Sequence, residues 1–272
     1  MSDARLDTEL DTKADTNTDV VLNVKGVSKR FGGLQALSDV GINIKRGQVY
    51  GLIGPNGAGK TTFFNVLTGL YTPDGGSFEL AGKPYQPTAV HLVAKAGIAR
   101  TFQNIRLFAE MTALENVMVG RHIRTHSGLL GAIFRTPGFK AEEKAIAARA
   151  QELLEYVGIA KFADYKARTL SYGDQRRLEI ARALATDPQL IALDEPAAGM
   201  NATEKVMLRE LIDRIRKDNR TILLIEHDVK LVMGLCDRVT VLDYGKQIAE
   251  GTPADVQRNE KVIEAYLGTG AH

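Results

Sequence analysis

Residues 48–70 read QVYGLIGPNGAGKTTFFNVLTGL, and this stretch decides the fold. Gln48–Gly54 is a short apolar run suited to a buried strand, Lys60–Leu70 has the composition of a helix, and Gly54–Thr61, which joins the two, satisfies G-x-x-x-x-G-K-[ST]. The glycines at 54, 57 and 59, with Pro55, Asn56 and Ala58 between them, let backbone N–H groups turn inward on a phosphate. Lys60 neutralises the β and γ oxygens, Thr61 offers a hydroxyl to Mg²⁺, Thr62 adds another, and the helix N-terminus contributes its dipole. A plain glycine turn followed by a surface lysine is the competing reading, and the strand before and helix after favour nucleotide binding over it.

Further apolar runs at PQLIALDE, RTILLIEH and DRVTVLDYG look like buried parallel strands, with helical segments such as ATEKVMLRELIDRIRKD between them. The expected class is therefore α/β, a P-loop NTPase (RecA-like) core. Upstream, VLNVKGV, DVGINIK and, after the loop, GSFELAG alternate apolar and polar residues, as half-buried antiparallel strands do. Between Gln103 and Leu170 the strand signal fades, and Ile146, Ala150, Leu153, Leu154 and Val157 fall at helical spacing. A helical insertion over about 104–185 is expected, with Gly158 as a helix stop and Ser171 as a helix start.

The bulk numbers exclude several classes. A formal net charge of +2 over 272 residues does not mark a nucleic-acid surface, and the one cysteine, Cys236, permits neither an intrachain disulfide nor a zinc cluster. No run of about 18 apolar residues appears, so any membrane association goes through another protein. Residues 1–19 carry six acids against Arg5 and Lys13 without an apolar stretch, which reads as a disordered acidic tail rather than a secretory signal.

Other candidate residues sit at strand ends. LIALDEP closes on Asp194 and Glu195, where a carboxylate meets the ligand crevice: Asp194 for the Mg²⁺ shell, Glu195 for orienting the attacking water. His227 follows TILLIE, where an imidazole either contacts a γ-phosphate or is simply a surface side chain. Gln103 is either a loop amide or a ligand of Mg²⁺ and water. Ser171 and Gly173 open a helix, with Ser171 suited to an ordinary N-cap. Phe31 reads by itself as a packed strand aromatic.

The order and spacing of the loop at Gly54, Gln103, LSYGDQ from Leu170, LDEP from Leu193 and His227 resemble the ABC transporter ATPase family across residues 20–268. The resemblance implies ATP and Mg²⁺ (through Thr61, Gln103 and Asp194) as cofactors and catalysis by Glu195, Gln103 and His227. It also implies adenine stacking on Phe31, and a dimer in which Ser171 and Gly173 of one subunit bind the γ-phosphate held by the other. RFGGLQAL, GIARTFQNIRLFAEMTALENV, LDEPAAGMN, IEHDVKLVMGLCDRV and EAYLG are similar to the LivG-type branch, which powers import of branched-chain amino acids. For that branch the implied partners are a second ATPase subunit, transmembrane permease subunits received near Asn104–Val119 and, indirectly, a substrate-binding protein. The implied location is the cytoplasmic face of the inner membrane. Urea or amide importers share most of these motifs, and a soluble ABC ATPase or a small-molecule P-loop kinase is the different-class alternative. Two departures stand out: Tyr172 and Asp174 within LSYGD, where the family has Gly and Gln, and Asn201, where it has Asp.

Overall fold

Two strand patterns in the sequence become two sheets. The computed structural model describes residues 19–124 and 137–267. The expected acidic tail therefore lies almost wholly outside the described residues, as does Gly268 of EAYLG.

The alternating segments pair as an antiparallel sheet in the order β2-β1-β4-β5. Its strands are β1 (Val20–Phe31), β2 (Leu34–Lys45), β4 (Gly75–Leu80) and the short β5 (Lys83–Pro84). The continuous apolar runs form the second sheet, in the order β10-β9-β3-β8-β7-β6. Here β3 (Val49–Ile53), β6 (Ile98–Arg100), β7 (Leu190–Asp194), β8 (Thr221–Ile225) and β9 (Arg238–Asp243) run parallel, and β10 (Lys246–Gly251) returns antiparallel to β9. Every residue of β3, β7 and β8 is buried, which is why those strands read as unbroken apolar runs rather than alternating ones.

The two faces of this sheet feed different cores. Tyr50, Leu52, Ala192, Leu223 and Ile225 join the β1–β2 sheet and helix α1 (Lys60–Leu67) in one cluster. The alternate residues Val49, Ile53, Ile191, Leu193, Ile222 and Leu224 pack against helices on the other side. After α2 (Val90–Ala96) and β6 come α3 (Ala113–Arg121), α4 (Pro137–Tyr156) and α5 (Tyr172–Leu184). Ile146, Ala150, Leu153 and Leu154 of α4, together with Val157, are all buried, so the helical spacing identified the packed face correctly. Gly158 just beyond takes a left-handed φ of 78°, a helix stop. The remaining helices are α6 (Ala202–Lys217), α7 (Val229–Leu235), α8 (Pro253–Gln257) and α9 (Glu260–Leu267). Cys236 is a buried thiol. No helix among the described residues is long and apolar enough to cross a membrane.

Because β3, β7, β8 and β9 are parallel neighbours, their carboxyl ends share one edge of the sheet. The phosphate loop, Asp194–Glu195, Glu226–His227 and Tyr244 all leave the sheet there.

Leu154 is fully buried in the helical core, so Leu154→Ala should cost about 2–5 kcal/mol in urea unfolding. Val206→Ala, on an exposed face of α6, should stay within about 0.5 kcal/mol. Equal losses would contradict the placement of this core.

Candidate active site

The loop between β3 and α1 is pinned from behind. At Gly54, φ is 153°, and a Cβ there would stand 2.1 Å from the Leu242 carbonyl oxygen, so only glycine lets the chain turn this close to β9. Lys60 opens α1 with its Nζ donating to the carbonyls of Gly54 (2.7 Å) and Pro55 (2.9 Å). Burial lowers the pKa of its ammonium from the ordinary lysine value, and the charge of Glu195 opposes that. The cation is thus folded back over the carbonyls of its own loop, at the N-terminus of α1, where a helix favours an anion.

A cleft of about 480 Å³ opens over this loop. Its walls include Asn56–Thr62, Phe31, Gln103, Glu195 and Tyr244. Phe31 stands edge-on to Tyr71, with ring centroids 5.2 Å apart, and is 41% exposed.

Glu195 follows the last residue of β7 in a left-handed conformation, φ 44°, which costs a non-glycine residue about 1 kcal/mol or more. That geometry is held by its N–H donating to Ile225 O (2.9 Å) and its C=O accepting from Ala198 N–H (3.1 Å). The turn aims the side chain at the cleft. There Gln103 Nε2 donates to Glu195 Oε2 at 2.9 Å, and His227 Nδ1 stands 3.5 Å from the same oxygen. Gln103, Glu195 and His227, far apart in sequence, are therefore one cluster.

Asp194, immediately before, is buried, and burial pushes its carboxyl up to about 6, with Arg100 opposing at 3.9 Å. Arg100 is held between the rings of Phe64 and Phe102, with its guanidinium carbon 4.6 and 4.4 Å from their centroids. Thr61, Asp194 and Gln103 supply hard oxygen donors, and no group of three His, Cys, Asp or Glu able to hold a metal occurs among the described residues. Such a set suits an ion that completes its shell with phosphate oxygens and water.

Ser171 and Gly173 lie at the tip of α5. Ser171 caps the helix, its Oγ accepting from Asp174 N–H at 3.2 Å and donating to Asp174 Oδ2 at 2.7 Å. Arg177 Nη2 reaches the other Asp174 oxygen at 2.5 Å, so the carboxylate standing in place of the family's glutamine does not leave bare negative charge at the helix tip. Neither Ser171 nor Gly173 lines the cleft that contains Lys60. Asn201 N-caps α6 in a capping box with Glu204, both bonds being 3.0 Å.

Residues that the sequence did not single out join these parts. Arg176, on α5, is 1% exposed; its Nη1 donates to Phe102 O (2.5 Å) and to Glu179 Oε2 (3.0 Å), and its Nη2 to Gln103 O and, at 3.1 Å, to Tyr172 Oη. Glu179 in turn accepts from Phe102 N–H at 3.3 Å. The α5 helix thereby grips the backbone that carries Gln103. Glu226, fully buried, accepts from Ala197 N–H (2.9 Å) and His227 N–H (3.2 Å), tying the loop after Glu195 to the one carrying His227. Burial raises its pKa, and the Ala197 amide opposes. The RRLE run had one available signal, an Arg–Glu pair at i,i+3 in the same helix as the apolar Leu178, Ile180 and Ala181.

Comparison with known proteins gives the same picture. The family profile described as "ABC transporter" matches residues 37–198, and one for "Branched-chain amino acid ATP-binding cassette transporter" matches residues 246–272. The chain is 48% identical to the high-affinity branched-chain amino acid transport ATP-binding protein BraF of Pseudomonas aeruginosa, over 91% of this chain and 98% of that one. It is 47% identical to LivG of Escherichia coli with the same coverage. Among solved structures, the ADP conformation of MJ1267, an ATP-binding cassette of an ABC transporter, superposes with a TM-score of 0.79 at 33% identity, over 92% of this chain and 99% of that one. A dimeric post-hydrolysis state of the cassette MJ0796, bound to ADP and Pi, gives 0.71 at 26% identity, over 85% and 98%.

Arg176→Ala should destabilise the chain by about 3–5 kcal/mol in chemical denaturation, because it leaves Glu179 buried without its partner. Replacing both, as Arg176→Met with Glu179→Leu, should recover much of that loss. A single variant as stable as the parent would contradict the buried-pair assignment.

Proposed function

Because the chain belongs to the ABC transporter ATP-binding family, with α/β cassette architecture and ATP hydrolysis as its activity, we propose that it powers uptake of branched-chain amino acids through separate permease subunits. The branched-chain amino acid transport role of BraF and LivG supports the substrate class, together with the match at residues 246–272. The observation that carries the site assignment is the cluster in which Gln103 and His227 both face one oxygen of Glu195 across the cleft floored by Lys60.

In this reading the amides of Gly54–Gly59 and the helix start at Lys60–Thr62 hold the phosphates of ATP, and Phe31 packs on the base. Lys60 exchanges its two carbonyl partners for phosphate oxygens. Thr61, Asp194 and Gln103 would hold Mg²⁺, which when bound draws charge from the phosphates. Glu195 orients the attacking water and accepts its proton. Hydrolysis needs little more of the protein than positioning and charge neutralisation, and the strained backbone at Glu195 serves the first. His227, anchored through Glu226, contacts the γ-phosphate and registers its loss.

Ser171 and Gly173 do not line the cleft that holds Lys60, so their phosphate belongs to a second ATPase subunit, and two nucleotides close a head-to-tail dimer. The MJ0796 cassette, dimeric in a post-hydrolysis state with ADP and Pi, supports pairing of two such chains. ATP favours the closed form by contacts that exist only there. Permeases would dock where Phe108 and Met111 stand exposed while Leu107 and Leu114 pack inward. Arg182, 5.8 Å from the Phe108 ring, and Arg176 on the same helix connect that surface with Gln103. The chain then works at the cytoplasmic face of the membrane without entering it.

Glu195→Gln should keep ATP affinity, lower turnover by at least about 100-fold and accumulate an ATP-bound dimer in size-exclusion chromatography. Turnover close to the parent's would remove Glu195 from the mechanism. Lys60→Ala should weaken ATP binding by about 10-fold or more in equilibrium titration, the loss expected when a charge-assisted contact to phosphate is deleted. Unchanged affinity and turnover would contradict the phosphate-loop assignment.

A further inference from the structure

The β9–β10 turn carries a residue that hairpin geometry disfavours. Asp243 pairs with Lys246, leaving Tyr244–Gly245 as a two-residue loop with φ of 42° and 75°. Both positive angles mark a type I′ turn, whose first position favours Asn, Asp or Gly and is a strained place for a bulky aromatic. The turn cannot relax away: Gly245 N–H donates to Ala58 O (3.0 Å), its C=O accepts from Ser38 N–H (2.8 Å), and a Cβ on Gly245 would stand 2.4 Å from Ala36 O. Tyr244 is thus bolted between β2 and the phosphate loop itself.

Its ring takes no part in the packed core. Tyr244 is 84% exposed and lines the same 480 Å³ cleft as Lys60. Leu34, 67% exposed, and Phe31 line it too, so three large apolar side chains face the cleft uncovered. A strained, exposed aromatic at the carboxyl edge of a parallel sheet is a ligand contact in search of its ligand. The phosphate loop takes the anionic end of a nucleotide; the apolar wall suits the flat base and the sugar.

We propose that Tyr244 is a nucleoside-binding residue, its ring packing on the base-and-ribose part of bound ATP in addition to Phe31. The inference rests on the nucleotide reading of the cleft and names a contact on the hairpin that the phosphate loop does not supply.

Isothermal titration with ATP and, separately, with tripolyphosphate tests it on the parent chain, Tyr244→Asn, Tyr244→Phe and Lys60→Ala. Tyr244→Asn should weaken ATP binding by about 5- to 30-fold, the range ring stacking on a base carries, and leave tripolyphosphate affinity unchanged. Its thermal midpoint should equal or exceed the parent's, since Asn suits the turn. Tyr244→Phe should bind ATP like the parent. Parental ATP affinity in Tyr244→Asn, with affinity lost in Lys60→Ala, would overturn the proposal and leave the nucleotide site standing. Equal losses for ATP and tripolyphosphate would also overturn it, because the turn would then act by shaping the phosphate loop. Unchanged ATP affinity with lost ATP-driven self-association would move the ring to a subunit contact and overturn it as well. A parent chain that binds neither probe would instead sink the nucleotide reading itself.

Discussion

The loop from Gly54 to Lys60 is wedged against β9 and β2, which leaves its backbone little freedom to move. Gly54 meets the Leu242 carbonyl where a side chain would begin, Ala58 O is held by Gly245 N–H, and the β9–β10 turn is in turn bonded to Ser38 on β2. A phosphate site made of backbone dipoles works only if those dipoles are fixed before the ligand arrives, since reorganising them would consume the binding energy. Both sheets are recruited for that purpose, one through β3 and β9 and the other through β2.

A second set of contacts governs movement. The Arg176–Glu179 pair carries two opposite charges into a buried position and also bonds the backbone of Phe102 and Gln103. An ion pair so buried contributes little net stability compared with apolar side chains of similar volume; what it adds is directional. Any tilt of α5 must carry Gln103 with it, and with it the amide that touches Glu195. The same Arg176 meets Tyr172 Oη, and the Tyr172 ring faces Gly199 on the loop leading from Glu195 to Asn201. Tyr172, a departure from the family's glycine, therefore stands between the helix tip, the Gln103 segment and that loop.

Much of the architecture was legible before any coordinates. Unbroken apolar runs marked β3, β7 and β8 because both faces of that sheet are covered, and alternation marked β1, β2 and β4 because one face is wet. The period of Ile146, Ala150, Leu153 and Leu154 marked the packed face of α4. Proximity between distant positions was only partly accessible: a family pattern orders Gln103, Glu195 and His227 along the chain, while the hydrogen bond spanning 92 residues is a property of the folded sheet edge. Arg176 was opaque because a charged residue on a helix reads as solvated, and its burial depends on a strand end and a loop more than 70 residues upstream. Tyr244 was opaque for the opposite reason: an aromatic at the end of DRVTVLDYG reads as the tail of an apolar strand, and only the pairing of Asp243 with Lys246 turns it outward.

The central claim is that one ATP is held by two chains, the lysine loop of one and the serine-tipped helix of another. A crystal structure with a non-hydrolysable ATP analogue and Mg²⁺ tests it most directly. The account predicts a γ-phosphate within hydrogen-bonding distance of Lys60 of one subunit and of Ser171 Oγ and Gly173 N–H of the other. A nucleotide-bound assembly in which Ser171 and Gly173 face solvent, or meet no phosphate, would contradict it.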